Sequence, residues 1–199
     1  EKEGERIPVS AIDKYGKSIK KSKKVISDFP ESKYVNSAII LMAKSQFHRQ
    51  EYDLAINNIK SILNSVENKQ KEEAIYWIAL CKWKKGNLQT AINELEDLIS
   101  KSQINTIKSM AFLSLSEIFN ELKDLNKSID FLQEAGKLTN ERSQKGIIYN
   151  KLAEMAFDKK DFKLALEGYE KVVSFSLSKK NIENAHLQIL KILRLEKEY

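Results

Sequence analysis

The feature that most constrains this chain is a nine-residue pattern that occurs four times. In each copy an acidic residue or asparagine precedes an apolar residue, and a small residue follows three positions later. The copies are EYDLAINNI (51–59), NLQTAINEL (87–95), DLNKSIDFL (124–132) and DFKLALEGY (161–169). Their small residues, Ala55, Ala91, Ser128 and Ala165, are 36, 37 and 37 residues apart. Such a period predicts a repeated structural unit.

A second small residue precedes each of the first set by twelve positions. This second set is Ala43, Ala79, Ser116 and Ala153. Small side chains let two helix backbones approach closely, so two of them in each unit predict a pair of packed helices. The segments between them, HRQE, KKGN, ELKD and DKKD, have the length and polarity of turns between antiparallel helices. The predicted unit is a helical hairpin.

The apolar periodicity around these positions predicts the helices. The predicted hairpins pair 33–48 with 52–65, 71–85 with 88–101, 106–122 with 125–138, and 143–159 with 162–177. An amphipathic helix at 9–28 precedes them and another at 181–197 follows. A single hairpin cannot bury its apolar faces alone, so stacking stabilises it. We therefore predict an all-α fold, in which residues 1–199 form one right-handed superhelical solenoid of antiparallel hairpins, with full repeats at 33–65, 71–101, 106–138 and 143–177.

Composition supports helices and gives no indication of catalysis. Hydrophobic residues make up 42% of the chain, and it has only 6 glycines and 2 prolines. Its one cysteine, Cys81, excludes an intrachain disulfide, and no CxxC or HExxH motif is present, so no metal or cofactor is expected. His48 and His186 fall in distant repeats, and the glycines form no phosphate-binding loop. We predict a protein that is not an enzyme.

These residues resemble the tetratricopeptide repeats, a family of helix–turn–helix units of about 34 residues. The two sets of small residues fall on that family's close-packing positions, and KKGNLQTA (84–91) resembles its turn. The resemblance extends over 9–197. The chain departs from the family pattern in three ways. Serine replaces alanine in one repeat, and the units are two or three residues longer than usual. The proline that closes a repeat is present only once, as Pro30.

A narrower resemblance concerns FPESKYVNSAIILMAKSQFHRQEYDLAINNI (29–59). This segment is similar to the first full repeat of bacterial periplasmic tetratricopeptide lipoproteins, such as the lipoprotein of the outer-membrane β-barrel assembly machinery. The resemblance implies an exported protein of a cell-envelope complex, tethered to the outer membrane by a lipidated cysteine upstream of Glu1. A cytoplasmic tetratricopeptide protein is the alternative.

The first helix of each hairpin is expected to line a concave surface, and its periodicity indicates which side chains face the groove. We predict that this groove binds a protein or peptide segment with apolar anchors and a basic stretch, because its first half is apolar and its second half acidic. The predicted groove residues are Ile40, Lys44, Phe47, Tyr76, Leu80, Trp83, Leu113, Glu117, Glu121, Asn150, Glu154 and Asp158.

Other interpretations of the same residues stay open. Bulky residues near the end of a first helix also pack against the next hairpin, and acidic residues also form ordinary solvated surfaces. A lysine face on the first helix would suit anionic lipid or nucleic-acid phosphates, or would only keep the array soluble; its residues are Lys14, Lys17, Lys20, Lys21, Lys23 and Lys24. Self-association through the apolar stripe of the last helix is a further possibility.

Overall fold

The computed structural model describes residues 8–197, without the side chains of residues 68, 196 and 197. The described residues form ten α-helices and no strand. The helices are α1 (Val9–Asp28), α2 (Val35–His48), α3 (Tyr52–Ile62), α4 (Asn68–Lys84), α5 (Leu88–Lys101), α6 (Asn105–Glu121), α7 (Leu125–Leu138), α8 (Arg142–Asp158), α9 (Phe162–Phe175) and α10 (Lys179–Lys197). No end differs from its predicted position by more than three residues, and the all-α helical-repeat class is confirmed.

Two compact units make up the chain, and the boundary between them lies inside α5, between Glu94 and Leu95. Unit 1 contains α1 to α4, and unit 2 contains α6 to α10. The expectation that residues 1–199 form one domain stays a prediction.

The turn between the two helices of a hairpin has the same backbone conformation four times. One residue in each turn has a positive φ: Gln50 (63°), Gly86 (89°), Lys123 (65°) and Lys160 (64°). The N–H of the next residue donates to the carbonyl five positions earlier at 2.9 Å in all four turns. This bond satisfies a carbonyl that the helix end would otherwise leave without a partner. The four turns therefore repeat with the spacing of the small residues.

In unit 1, a serine pair and an aromatic stack join α1 to α2. The Ser45 hydroxyl lies 2.8 Å from that of Ser18, and the Tyr15 ring stacks on His48 at 4.9 Å. The apolar core of this unit lies between α2, α3 and α4, where Ala43, Ala55 and Cys81 are almost fully buried. Ala43 and Ala55 are the pair predicted to meet in the first full hairpin.

Unit 2 shows how serine replaces alanine at the close-packing positions. Ser116 on α6 and Ser128 on α7 are fully buried, and their hydroxyl oxygens are 3.0 Å apart. Ser128 also donates to the Ser116 carbonyl at 2.8 Å. In the next hairpin, a Cβ added to Gly168 on α9 would lie 2.8 Å from the Cβ of Ala153 on α8. Both hairpins thus keep the close approach that the sequence predicts.

Another pair of positions, again twelve residues apart, is filled differently in each hairpin. In the first, the Asn58 amide donates to the Gln46 side chain at 2.8 Å. The second has an ion pair between Lys82 and Glu94. The third has a pair of aromatic rings, Phe119 and Phe131, with centroids 5.4 Å apart. In the fourth, these positions are Ala156 and Gly168.

Candidate functional site

Four of the predicted groove residues are core residues. Ile40, Tyr76, Leu80 and Trp83 are 4%, 7%, 6% and 6% exposed. Their side chains are covered by the chain's own packing and offer a partner almost no surface. The prediction that these four face a partner is therefore corrected: they contribute to stability, and a groove floor built from them is not available.

Lys44 and Phe47, the other two predicted groove residues of unit 1, are half-buried. Lys44 forms an ion pair with Glu73 of α4, and its Nζ lies 5.6 Å from the centre of the Trp77 ring. Phe47 contacts Trp77 edge-on, with ring centroids 5.2 Å apart. Both side chains are therefore engaged in contacts between the helices of unit 1.

In unit 2, the predicted residues of α6 differ in exposure. Leu113 is half-buried and packs against the core cluster that contains Leu132 and Leu152. The Glu117 carboxylate is 3.1 Å from Nζ of Lys151 on α8, which neutralises its charge. Glu121 is exposed at the end of α6.

The three predicted residues of α8 lie together on one side of that helix. Asn150, Glu154 and Asp158 are spaced four residues apart, so successive turns bring them into line. The Asn150 amide donates to Glu154 at 2.8 Å. Glu154 and Asp158 are exposed, and neither forms an ion pair with another described residue. This is the part of the predicted groove that the structure brings together.

Two adjoining cavities open beside these carboxylates. The larger, about 520 Å³, is lined by Phe157, Asp158, Lys160, Phe162 and Leu195. The smaller, about 330 Å³, is lined by Glu154, Phe157, Asp158, Tyr169, Gln188 and Lys191. Phe157 and Asp158 belong to both. We call the two cavities together the α8 site; it has an apolar part, made by two phenylalanines and a leucine, and a polar part.

Tyr169 on α9 shows the effect of burial and of nearby carboxylates in the α8 site. The pKa of Tyr169 is raised to about 12, first because the residue is buried and then because Glu154 and Asp158 lie close to its hydroxyl. The Tyr169 hydroxyl is therefore protonated, and uncharged, near neutral pH. Nζ of Lys191 lies 4.8 Å from the centre of the Phe157 ring. Glu154 and Asp158 are like charges one helical turn apart and repel each other. A cation from a bound molecule, placed between them, would reduce this repulsion.

Sequence reasoning missed the parts of the α8 site that come from α9 and α10. Phe162 follows the turn and lies 5.8 Å from Phe157 between ring centroids. A signal for this contact was present, because the first hairpin has an aromatic residue, Tyr52, at the equivalent position, 5.5 Å from Phe47. Nothing in the periodicity of α10 indicated that Leu195 would reach the same place.

Other candidate features have no comparable geometry. The six lysines of the N-terminal face are exposed on α1, and neither cavity of the α8 site borders them. Among the described side chains, no group of three or more histidine, cysteine, aspartate or glutamate residues could hold a metal ion. None of the described helices is long and apolar enough to cross a membrane.

Comparisons with known proteins agree with the helical-repeat fold. Residues 73–102 match the family model of the tetratricopeptide repeat. No curated protein matches the chain significantly. Among solved structures, BtubC from P. vanneervenii superimposes with a TM-score of 0.66 at 11% identity, covering 93% of this chain and 82% of that one.

Two further solved structures have the same fold. A thermophilic tetratricopeptide-repeat protein from Thermus thermophilus, TTC0263, has a TM-score of 0.61 at 15% identity, with 93% of each chain covered. MamA from Desulfovibrio magneticus RS-1 has a TM-score of 0.54 at 19% identity, covering 82% of this chain and 95% of that one. The chain thus has the fold of tetratricopeptide-repeat proteins, and residues 73–102 are one such repeat. This fold is typical of scaffolds that bind other proteins.

Proposed function

We propose that this protein is a non-enzymatic scaffold that holds a segment of a partner protein in the α8 site. The observation that carries the proposal is the position of Asp158, whose side chain lines both cavities. An apolar side chain of the partner would fill the cavity between Phe157, Phe162 and Leu195. A lysine or arginine next to it in the partner would lie between Glu154 and Asp158.

The two parts of the α8 site would make different contributions to binding. A buried apolar anchor supplies most of the affinity in a typical peptide complex. A charged pair at the rim contributes more to specificity and to the rate of association. The exposed carboxylate of Glu121 and the amide of Asn150 would extend the contact along α6 and α8, and Lys44 and Phe47 are not needed.

The test is capture of partners by the purified protein from extract of the source cells. We expect a partner retained by the wild type to be lost with Phe157→Ala, because the anchor cavity loses a wall. Glu154→Gln with Asp158→Asn should weaken retention by about tenfold without changing the helical circular dichroism, since both side chains are exposed.

The control is Glu170→Gln, which removes an exposed carboxylate on α9 that lines neither cavity. It should retain the same partner as the wild type. If the site variants and the control capture identical proteins, the α8 site does not bind the partner and the proposal is wrong.

We also propose that the complex belongs to the bacterial cell envelope. The support is the resemblance of residues 29–59 to periplasmic tetratricopeptide lipoproteins. Fractionation of the source cells tests this: the protein should separate with the outer membrane and should be released by detergent. Recovery in the cytoplasmic fraction would contradict it and would leave the binding site as proposed.

A further inference from the structure

A further cavity of unit 2 lies between α7 and α9, apart from the α8 site. Its volume is about 210 Å³, and it shares no lining residue with the α8 site. Tyr149 and Leu152 of α8 lie at its base, and side chains of α7 and α9 form its two sides. The described helices α6 and α10 precede and follow these three, so the cavity has its neighbouring helices on both sides. We call it the α7–α9 cavity.

The base of the α7–α9 cavity has a polar group that the fold does not use. Tyr149 is 7% exposed, and its hydroxyl forms no hydrogen bond with another described residue. The hydroxyl oxygen is not fully enclosed, so it opens to the cavity that Tyr149 lines. Phe112 occupies the equivalent position of the preceding hairpin, so packing there does not require a hydroxyl. A buried hydroxyl without a partner is unfavourable, and a ligand that bonds to it would remove this cost.

Two glycines leave room for this arrangement. A Cβ added to Gly136 on α7 would lie 2.9 Å from Cζ of Tyr149 and 3.1 Å from its hydroxyl oxygen. Gly168 on α9 lines the cavity and has no side chain to fill it. The Tyr149 ring therefore reaches the backbone of α7, and the space beside it stays open.

The two sides of the cavity place their polar groups in the same order along the chain. On α7, Lys137 follows Gln133 by one turn, and on α9, Lys171 follows Glu167 by one turn. Both helices are the second helices of neighbouring hairpins, so they run in the same direction. The two lysines thus lie toward one end of the cavity and Glu167 toward the other, about 6 Å away along the helix.

Both lysines lie beside Tyr149. Nζ of Lys171 is 4.5 Å from the centre of the Tyr149 ring. Lys137 pairs with Glu134, which is the main cause of its raised pKa, and Tyr149 adds to the shift. The Lys137 and Glu134 side chains are 65% and 45% exposed, so their ion pair is weak and a ligand can compete with it. Glu167 forms no ion pair with another described residue, so it lacks a counter-charge.

These charges do not suit a ligand of a single sign. A simple anion would lie near Glu167, and a simple cation would lie near two lysines. We propose that the α7–α9 cavity binds a small zwitterion, whose carboxylate or phosphate contacts Lys137, Lys171 and the Tyr149 hydroxyl and whose ammonium group contacts Glu167. The Tyr149 hydroxyl donates a hydrogen bond to the anionic group of the ligand. The two charges of the ligand should be about one helical turn apart, as they are in 4-aminobutanoate.

The test compares 4-aminobutanoate with two matched molecules that each lack one charge, butanoate and butylamine. Binding to the whole protein is measured by isothermal titration calorimetry. We expect 4-aminobutanoate to bind at least about tenfold more tightly than either of the other two, because only it satisfies both ends of the cavity.

Two variants separate the two ends. Tyr149→Phe removes only the hydroxyl and should weaken binding of 4-aminobutanoate by about tenfold. It should not lower the urea concentration at which the protein unfolds, because the hydroxyl has no partner among the described residues. Glu167→Gln should weaken 4-aminobutanoate and strengthen butanoate, so that the two bind alike. The control is Glu170→Gln, which removes an exposed carboxylate of α9 outside the cavity and should bind all three molecules like the wild type.

A lipid headgroup is a second source of the same chemistry, and sedimentation with phosphatidylethanolamine vesicles tests it. Vesicle binding that Tyr149→Phe abolishes, without binding of 4-aminobutanoate, would support the cavity as a zwitterion site and assign the zwitterion to a lipid. Absence of binding to both the vesicles and millimolar 4-aminobutanoate would overturn the proposal. So would equal binding of the three small molecules by the wild type, or binding that neither Tyr149→Phe nor Glu167→Gln changes.

Discussion

At the residue scale, the contact between the two helices of a hairpin keeps its geometry while its chemistry changes. The equivalent pairs are an amide pair (Gln46 and Asn58), an ion pair (Lys82 and Glu94), an aromatic pair (Phe119 and Phe131) and two small residues (Ala156 and Gly168). In each pair, the two side chains match each other in size and polarity. Exchanging one member alone would leave an unmatched group in the packed hairpin, which is the costly case for polar side chains.

Two glycine substitutions should have opposite effects on stability. In Gly168→Ala, the new Cβ would meet the Cα of Ala153 at 3.1 Å, and a backbone atom cannot yield easily. We expect a loss of roughly 1–2 kcal/mol, because overpacking outweighs the gain in helix propensity. Gly16→Ala is the control: its Cβ would contact only the end of the flexible Arg49 side chain at 3.3 Å. It should raise stability by up to about 1 kcal/mol.

Urea unfolding followed by circular dichroism measures both variants. A Gly168→Ala protein that unfolds at the wild-type urea concentration or above would show that α8 and α9 do not pack as closely as described.

The Cys81 thiol should be unreactive in the folded protein. Burial raises its pKa to about 12, and nearby Asp53 adds to the shift. Near neutral pH the thiolate, which is the reactive form, is therefore almost absent. We expect a thiol reagent to label the folded protein slowly and the denatured protein at the rate of a free cysteine. Equally fast labelling of both would contradict the burial of α4.

Burial of individual residues on α4 was the part least accessible from the sequence. This helix has apolar residues on nearly every side, including Tyr76, Trp77, Ile78, Leu80 and Trp83. Periodicity distinguishes a buried side from an exposed side only when one of them is polar. The same difficulty applies to α8, where Ile147 is exposed seven residues before Glu154 and so lies on the same side of the helix as Glu154 and Asp158.

At the element scale, the hairpin could be predicted because its two requirements are local. One is a small residue on each helix, and the other is a short polar turn. Both are visible in the sequence at all four hairpins. Helix ends were less accurate: α4 begins at Asn68, three residues before the predicted start. Stacking between hairpins depends on contacts distant in sequence, which no local pattern reports.

The positive-φ position of the turn gives a prediction at this scale. Gly86→Ala should lower stability by about 1 kcal/mol, because a Cβ is strained in the left-handed conformation. No atom lies within 4 Å of the added Cβ, so steric contact adds nothing. Lys123→Gly, at the equivalent position of the next turn, should leave stability unchanged or slightly raised, since it relieves the same strain.

Thermal unfolding of the two turn variants provides the measurement. If both lose stability equally, the turns do not share one conformation.

At the scale of the whole molecule, the account of function rests on the α8 site of unit 2. This site has an apolar cavity with the carboxylates of Glu154 and Asp158 at its rim. A partner segment without a basic residue beside its apolar side chain would leave these carboxylates without a counter-charge, so the site should select segments by charge.

The most direct test of that site is photo-crosslinking in the source cells. A photoreactive amino acid is placed at Gln188 on α10, which lines the smaller cavity and leaves both carboxylates in place, and, in a control protein, at Glu170 on α9. We expect position 188 to form a covalent adduct with a partner segment that has an apolar side chain next to a lysine or arginine. Position 170 should not form this adduct. Adducts of the same protein from both positions, or none from position 188, would contradict the account.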